Sequence, residues 1–220
     1  MSEMRPAIKN HQEDITIIEG ISDRERAYEI TSQGFLIPIS DALRKDVDEH
    51  IDDAEISFSA LDQTRALAGY ALYKTFQFEE GSALYLSGVQ IAQAAQGRGI
   101  TKMINRRVID ALNPDYFAFR TQSIRMFRSG TAVMSDFYPK LDEDNVQVPS
   151  HIESVGNKIA GKIGGSFPIS RGYYGGQPLY GERPTHDADG KFYEKINFEN
   201  GDAILCVGAI TRVALDNEEH

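Results

Sequence analysis

Hydrophobic and polar residues alternate along the chain with two different periods, and the change of period predicts the order of helices and strands. Residues 14–20 ("DITIIEG") have the pattern of a short strand. Ser22 and Glu25 form an S-x-x-E capping box, which predicts a helix through "RERAYEIT". A second helix is predicted in "DALRKDVDEHIDD". Three runs with the pattern of strands follow, at 54–61, 65–78 and 82–92. The connections between them are short and polar, which is typical of antiparallel neighbours.

The second half of the chain alternates strand and helix instead. Apolar residues from Ile100 to Leu112 have helical spacing, and "DYFAFRTQ" (115–122) has the pattern of a strand. A strand, a helix and a strand in this order favour a crossover between parallel strands. Further elements are predicted in this order: a helix within 123–138, a helix from the capping box of Ser150 and Glu153, and a strand at 202–210.

These elements predict an α/β (α+β) fold in which helices flank a mixed, mostly antiparallel sheet. The length of 220 residues favours a single domain, 1–220. Within it, 139–202 forms an extended insertion before the last strand. Its glycine- and tyrosine-rich part, 164–193, is interpreted either as a lid or wall of a binding pocket or as an ordinary surface loop.

The net charge of the chain argues against some classes of binding partner. The net charge of −10 argues against binding to nucleic acid or to an anionic membrane. The N-terminus is polar, and no run of eighteen apolar residues occurs, so we expect a cytoplasmic protein. Residues 98–128 nevertheless hold seven basic residues against two acidic ones. This basic window in an acidic chain suggests a local anion site.

The stretch "AAQGRGITKM" (94–103) lies within that window, between an apolar strand and the next helix. A helix that begins near Gly97 directs its unpaired first N–H groups outward, where they attract anions. Glycine at 97 and 99 lets a ligand approach the backbone. Arg98, Lys102 and Arg106 recur every four residues beside it. A glycine turn followed by a solvated basic helix face is the alternative, and spacing alone does not decide between the two.

Comparison with known phosphate-binding sequence patterns helps to decide between an anion site and a solvated helix face. The dinucleotide pattern G-x-G-x-x-G fails because residue 102 is lysine, and the P-loop pattern is absent. Gln96–Thr101 instead resembles the Q/R-x-x-G-x-G/A signature of the GNAT N-acetyltransferase superfamily, whose turn binds the pyrophosphate of acetyl-coenzyme A. The order of elements over 14–138 and 202–210 also resembles that family. Thr101 stands where the family usually has glycine or alanine, and Gln93 where it often has proline.

The resemblance implies the GNAT fold, acetyl-CoA as cofactor, and transfer of an acetyl group to a primary amine of a small molecule or protein. The pantetheine arm would pair with the end of the fourth strand, and main-chain N–H groups of the turn would hold the phosphates. The cofactor-binding residues implied are Val89, Ile91, Gln93, Gln96, Gly97, Arg98, Gly99, Ile100, Thr101 and Lys102.

Two side chains are candidates for proton transfer. Tyr138 is the nearest match to the family tyrosine that protonates the departing thiolate; the alternative is an interfacial aromatic residue. Glu80, beside Glu79, is the carboxylate nearest to the fourth strand; the alternative is a solvated turn residue. If neither acts, the chain is a non-catalytic module that binds CoA or another nucleotide.

The sequence says less about the acceptor substrate than about the cofactor. An acidic run between residues 46 and 55 would attract a cationic amine, although a solvated helix face explains it equally. We predict no metal site, because Asp46 with His50 lacks a companion and "HDADG" (186–190) lacks the remaining ligands of a calcium loop. A homodimer is compatible with the sequence, which does not fix the oligomeric state.

Overall fold

A computed structural model describes residues 15–141, 147–185 and 190–210. Its strands are β1 Thr16–Glu19, β2 Ile56–Leu61, β3 Leu67–Phe78, β4 Gly81–Ile91, β5 Tyr116–Thr121, β6 Asp136–Tyr138, β7 Ile169–Ser170 and β8 Ala203–Ala209. Its helices are α1 Arg24–Phe35, α2 Asp41–Asp52, α3 Ile100–Leu112, α4 Ile124–Thr131, α5 Ser150–Ile163 and α6 Gly190–Lys195. A short 3-10 turn, Gln93–Ala95, joins β4 to the segment before α3.

The strands form one mixed sheet in the order β1-β2-β3-β4-β5-β8-β6, with β7 also paired to β8. Every pairing is antiparallel except β4 with β5, which are parallel and joined through α3. This confirms the predicted mostly antiparallel sheet flanked by helices. The last strand, β8, lies between β5 and β6, and residues 139–202, the predicted insertion, connect β6 to it and contribute β7 to the same sheet.

Two tyrosines of β3 show how the helices are divided between the faces of the sheet. The Tyr70 hydroxyl lies 2.6 Å from Thr31 Oγ1 of α1. The Tyr73 hydroxyl donates to Asn105 Oδ1 of α3 at 2.7 Å. Side chains three residues apart on a strand point to opposite faces, so α1 and α3 cover opposite sides. Phe119 of β5 packs against α4 on the α3 side, and Tyr85 of β4 belongs to the cluster under α5 on the α1 side.

Amphipathic spacing explains how the helices attach to the sheet. In α2, the buried residues Leu43, Val47 and Ile51 recur every four residues, and Ser40 Oγ caps the helix by accepting from Leu43 N at 3.2 Å. The charged residues of α2 remain on its outer side. No helix in the described ranges is long and apolar enough to span a membrane.

The predicted capping boxes were wrong at both sites, each by one residue. Asp23, not Ser22, caps α1 by accepting from Arg26 N at 3.0 Å. The Ser22 N–H instead donates to Ser59 Oγ of β2, a tertiary partner that the local pattern does not contain. Ser150 is the first residue of α5, and Pro149 holds the cap position without a side-chain hydrogen bond.

Candidate functional site

Strands β4 and β5 pair over only part of their length. The parallel register runs from Ala83 with Tyr116 to Leu86 with Phe119, whereas β4 continues to Ile91. Beyond Leu86 the edge of β4 that faces β5 therefore has no strand partner within the described residues. A register shift against β3 also makes Ser87 an extra residue in β4, which is the geometry of a β-bulge. Main-chain groups on this free edge of β4 (residues 87–91) are available to a ligand.

The free edge leads into the turn at residues 96–101. Gly99 is the N-cap of α3, with φ 74° and no side-chain cap hydrogen bond, and Gly97 has φ 77°. A Cβ atom added at either glycine would meet nothing within 4 Å. The Gln96 side chain fixes the turn to the strand by donating from Nε2 to Ile91 O at 3.2 Å. The space in front of both glycines is therefore open and the N-terminus of α3 has no side-chain cap, as an anion site requires.

The basic residues near this turn have different surroundings. Lys102 and Arg106 are exposed on α3. Hydrogen bonds from Thr64 and, more weakly, the positive charge of Arg98 hold the pKa of Asp62 in the β2–β3 turn below its ordinary value. Arg107 instead supports the fold, since its Nη1 donates to the Ile17 carbonyl at 2.9 Å. The predicted basic row consists of Arg98, Lys102 and Arg106. Of these three residues, Lys102 and Arg106 are exposed to solvent on α3.

A cleft of about 670 Å³ opens where β4 and β5 separate. The free edge of β4 and the end of β5 form its floor, and α1 and α2 form one wall. The other wall comes from the end of α5 and from residues 173–180. The lining includes Ser87, Gly88, Val89, Gln90, Arg120, Thr121, Gln122, Tyr173, Tyr174 and Tyr180.

Comparison with solved structures identifies the fold of the chain. An IAA acetyltransferase from Bacillus cereus ATCC 14579 matches with a TM-score of 0.52 and 11% identity, over 89% of this chain and 99% of that chain. A Bacillus subtilis acetyltransferase in complex with CoA matches at 0.49 and 13%, over 90% and 99%. A GNAT family acetyltransferase from Elizabethkingia anophelis with acetyl-CoA bound matches at 0.46 and 13%, over 90% and 100%. The chain has the GNAT fold. No protein-family model and no curated protein matches the sequence.

In this GNAT fold the acidic run of α2 contributes to the cleft only in part. Asp46, His50 and Asp53 line it, with His50 Nδ1 lying 2.7 Å from the Asp46 carbonyl and Asp53 paired with Lys74. Other members of the run have structural partners instead: Asp48 and Asp52 with Arg24, and Glu55 with Thr75. No group of three or more His, Cys, Asp or Glu in the described ranges is placed to hold a metal, and residues 186–189 of "HDADG" lie outside those ranges.

The glycine- and tyrosine-rich segment supplies aromatic walls. Tyr173, Tyr174 and Tyr180 line the cleft. Burial raises the pKa of Tyr180 to about 12 and that of Tyr174 well above its ordinary value, so both hydroxyls are protonated at neutral pH. Tyr180 also packs edge-on against Phe35 of α1, with ring centroids 5.1 Å apart. The insertion and the first helix therefore meet across the cleft.

Glu80 lies at the far end of β4. It is in the turn after β3, with Lys158 Nζ 2.6 Å from its Oε2. Hydrogen bonds from Lys158 and Ser154 lower its pKa to about 2, which makes it a weak base near neutral pH. Eleven residue steps along β4 separate it from Ile91, roughly 36 Å at the usual rise, and the turn at 96–101 lies beyond that strand end. The structure does not bring Glu80 to the cleft.

Tyr138 also lies away from the predicted cofactor residues. It is in β6 and pairs with Val207 of β8, which in turn pairs with Ala118 of β5. Two strand spacings, roughly 10 Å, thus separate it from β5. Its ring is buried in the cluster beneath α5, with Lys140 Nζ 5.3 Å from the ring centroid. It is not among the residues that line the cleft.

Sequence reasoning missed three polar residues of the cleft. Ser87 is the extra residue of β4, and Arg120 and Gln122 are at the end of β5. Gln122 is fully buried and connects the insertion to β5, donating to the Phe198 carbonyl at 2.9 Å and accepting from Leu179 N at 2.8 Å. A signal was present, because a cation and an amide close an otherwise apolar strand in "DYFAFRTQ". The strand separation that gives these residues a function has no sequence signature.

Proposed function

We propose that the protein is an N-acyltransferase that transfers an acetyl group from acetyl-CoA to the primary amine of a small molecule or protein. One observation carries the proposal: the free edge of β4 leads directly into a glycine turn whose N–H groups are not capped by a side chain. An extended arm ending in a diphosphate needs both features in this order. The GNAT fold supports the proposal by analogy of fold.

The residues present fit coenzyme A. Val89, Ile91 and Gln93 are at the end of β4 and in the turn after it, where main-chain groups would pair with the amides of the pantetheine arm. Gln96, Gly97, Arg98, Gly99, Ile100 and Thr101 would surround the diphosphate, with Lys102 adding positive charge. The open space over Gly97 and Gly99 supports this assignment, because any Cβ there would project toward the ligand.

Bound acetyl-CoA would supply an activated thioester, to whose carbonyl carbon the amine nitrogen would bond while the carbon–sulfur bond breaks and the thiolate leaves. The N–H groups of the free edge of β4 would stabilise the negative charge that develops on the carbonyl oxygen. The wall formed by Asp46 and His50 would attract a cationic amine and take up the proton it loses, through water.

A second candidate is a module that binds CoA without acyl transfer. The positions of Glu80 and Tyr138 favour it, since both side chains that the sequence nominates for proton transfer lie outside the cleft. Both candidate functions use the same CoA site, and they differ in whether an acetyl group is transferred.

Two measurements on the full chain test the proposal. Isothermal titration calorimetry with CoA and acetyl-CoA should show one-to-one binding to the described site. Release of free thiol should then be followed over a panel of polyamines, amino acids, aminoglycosides and peptides. Amine-dependent thiol release supports the transferase, binding without release supports the module, and absence of binding rejects both.

A further inference from the structure

Two residues with unsatisfied buried polar atoms come directly after the point where β4 and β5 separate. The last paired residues are Leu86 and Phe119, so Ser87 and Arg120 are the next residues on the two strands. Both line the cleft. Within the described residues, Ser87 Oγ and the Nε and Nη1 atoms of Arg120 are buried without a hydrogen-bond partner. Buried polar atoms without a partner are rare in folded proteins, and in an open cleft such atoms need water, an ion or a ligand as the partner.

The guanidinium of Arg120 has two partners, and neither is an anion. Its Nη2 donates to the Gly164 carbonyl at 2.6 Å, and its Cζ lies 3.7 Å from the centroid of the Tyr173 ring. No carboxylate within the described ranges is bonded to it. Lys162, at the end of α5, adds a second cation to the same wall of the cleft. A desolvated cation without a counter-ion is unfavourable, so this wall is suited to an anionic group.

The anion that fits here does not come from the cofactor site. Four strand residues separate Ser87 from Ile91, roughly 13 Å, and the turn at 96–101 lies beyond that. A diphosphate at the turn is therefore too far away to contact Arg120. The part of a CoA arm that would pass Ser87 carries amides and a thioester, which are uncharged. The anion must belong to the second substrate.

The ring of Tyr173 lies against the guanidinium of Arg120. It is held by a hydrogen bond of 3.2 Å from its hydroxyl to the Ile163 carbonyl, and 36% of the residue is exposed. Its backbone belongs to a glycine-rich turn in which Gly172, Gly175 and Gly176 have positive φ. A carboxylate bound to Arg120 would replace the contact between the guanidinium and this ring.

We propose that the acceptor is a small amino acid whose carboxylate binds Arg120 while its amine faces the bulge at Ser87. This inference rests on the proposed acyltransferase function and names its substrate class. A guanidinium recognises a carboxylate through charge-assisted hydrogen bonds, and a site built for such bonds rejects analogues that lack the group. Amines of the same shape that lack the carboxylate are therefore poor acceptors.

The test compares each of the common α-amino acids with its carboxamide and its decarboxylated amine in the thiol-release assay. We expect at least one amino acid to exceed both analogues that lack the carboxylate in kcat/KM by about 100-fold. Arg120→Gln should remove this preference and leave CoA affinity unchanged, and Arg120→Lys should restore part of it. Arg128→Gln, which removes an exposed arginine of α4, is the matched control and should behave as wild type.

The readouts keep this inference separate from the proposed function. Calorimetry with CoA reports the cofactor site, whereas protection of the protein against heat by free amino acids reports the Arg120 site without turnover. Equal use of amino acids and amides, or equal losses for both in Arg120→Gln, would overturn the inference while leaving the transferase intact. A loss of CoA affinity in Arg120→Gln would also overturn it. If nothing is acetylated, absence of amino-acid binding in the thermal measurement rejects it.

Discussion

Gly97 and Gly99 have left-handed backbone conformations, with φ 77° and 74°, at a turn where the space in front of the main chain is open. We expect Gly99→Glu to lower CoA affinity by at least about 100-fold. The side chain adds backbone strain of roughly 1 kcal/mol and places a carboxylate where the diphosphate would lie. Calorimetry with CoA measures the change.

Gly20→Glu is the matched control for this substitution. Gly20 follows β1, has φ 82°, and a Cβ added there also meets nothing within 4 Å. It therefore reproduces the strain and the added charge away from the turn, and it should bind CoA like the wild-type protein. Retention of affinity in Gly99→Glu, or equal losses in both variants, would disprove the assignment of the phosphate site.

Tyr138 gives a second test at a single residue. Since its ring is buried beneath α5 and outside the cleft, we expect Tyr138→Phe to change the rate of thiol release by less than about twofold. A general acid contributes roughly 100-fold or more, so the two roles are well separated. A large drop in kcat with unchanged CoA affinity would establish Tyr138 as the acid that the sequence suggested.

The conformation of the glycine turn at 96–101 was predictable from local sequence, because glycine spacing and a helix start are properties of neighbouring residues, whereas its binding of a diphosphate stays a prediction. The conformations of Gly97 and Gly99 and the hydrogen bond from Gln96 to Ile91 agree with the predicted turn. For Arg120 the local signal, a cation that ends an apolar strand, did not reveal its place in the cleft. Its importance depends on the register of β4 with β5 and on the arrival of Tyr173 from 53 residues further along the chain.

Among the elements, long and strongly periodic segments were predicted and short ones were missed. The three consecutive strands and α1 to α3 match the predicted ranges to within a few residues. The missed elements are β6, β7 and α6, which have three, two and six residues. Segments this short show no period, and their conformation depends on pairing with β8 or packing against α4.

The insertion is anchored by one buried carboxylate at the start of β8. Asp202 is fully buried and accepts hydrogen bonds from Arg171 Nη1, from the main-chain N–H groups of Gly172 and Asn197, and from Asn200 Nδ2. Burial alone raises the pKa of Asp202, but these hydrogen bonds outweigh it and hold the pKa well below its usual range. The ionised form is therefore the one that stabilises the fold.

We expect Asp202→Asn to lower the free energy of unfolding at pH 7 by about 2–4 kcal/mol, because the charge-assisted bonds are lost. Urea unfolding, followed by circular dichroism, measures the change. Asp110→Asn, an exposed substitution on α3, is the control and should change stability by less than about 0.5 kcal/mol.

The pH dependence of this effect has a definite sign. Because the pKa of Asp202 is lower in the folded state, its contribution is present above the unfolded pKa of about 3.9 and is lost as pH falls below that value. The difference between wild type and Asp202→Asn should therefore shrink between about pH 4 and pH 2. A difference that stays constant over that range would show that the carboxylate is not what anchors the insertion.

For the molecule as a whole, the proposed ligand site lies at one end of the sheet. The chain carries a net charge of −10, yet exposed Lys102 and Arg106 lie beside the turn where β4 ends. The antiparallel pairing of the three consecutive strands and the parallel crossover to β5 were predictable from the order of elements, but the place of β8 between β5 and β6 and the separation of β4 from β5 were not.

The central claim is that CoA binds along the free edge of β4 with its diphosphate on the turn at residues 96–101. A crystal structure of the full chain grown with excess CoA tests it most directly. We predict phosphate oxygens within hydrogen-bond distance of main-chain nitrogens between Gly97 and Lys102, and the pantetheine arm beside Val89 and Ile91. A CoA molecule bound elsewhere, or a turn closed by side chains while the arm lies off β4, would contradict the account.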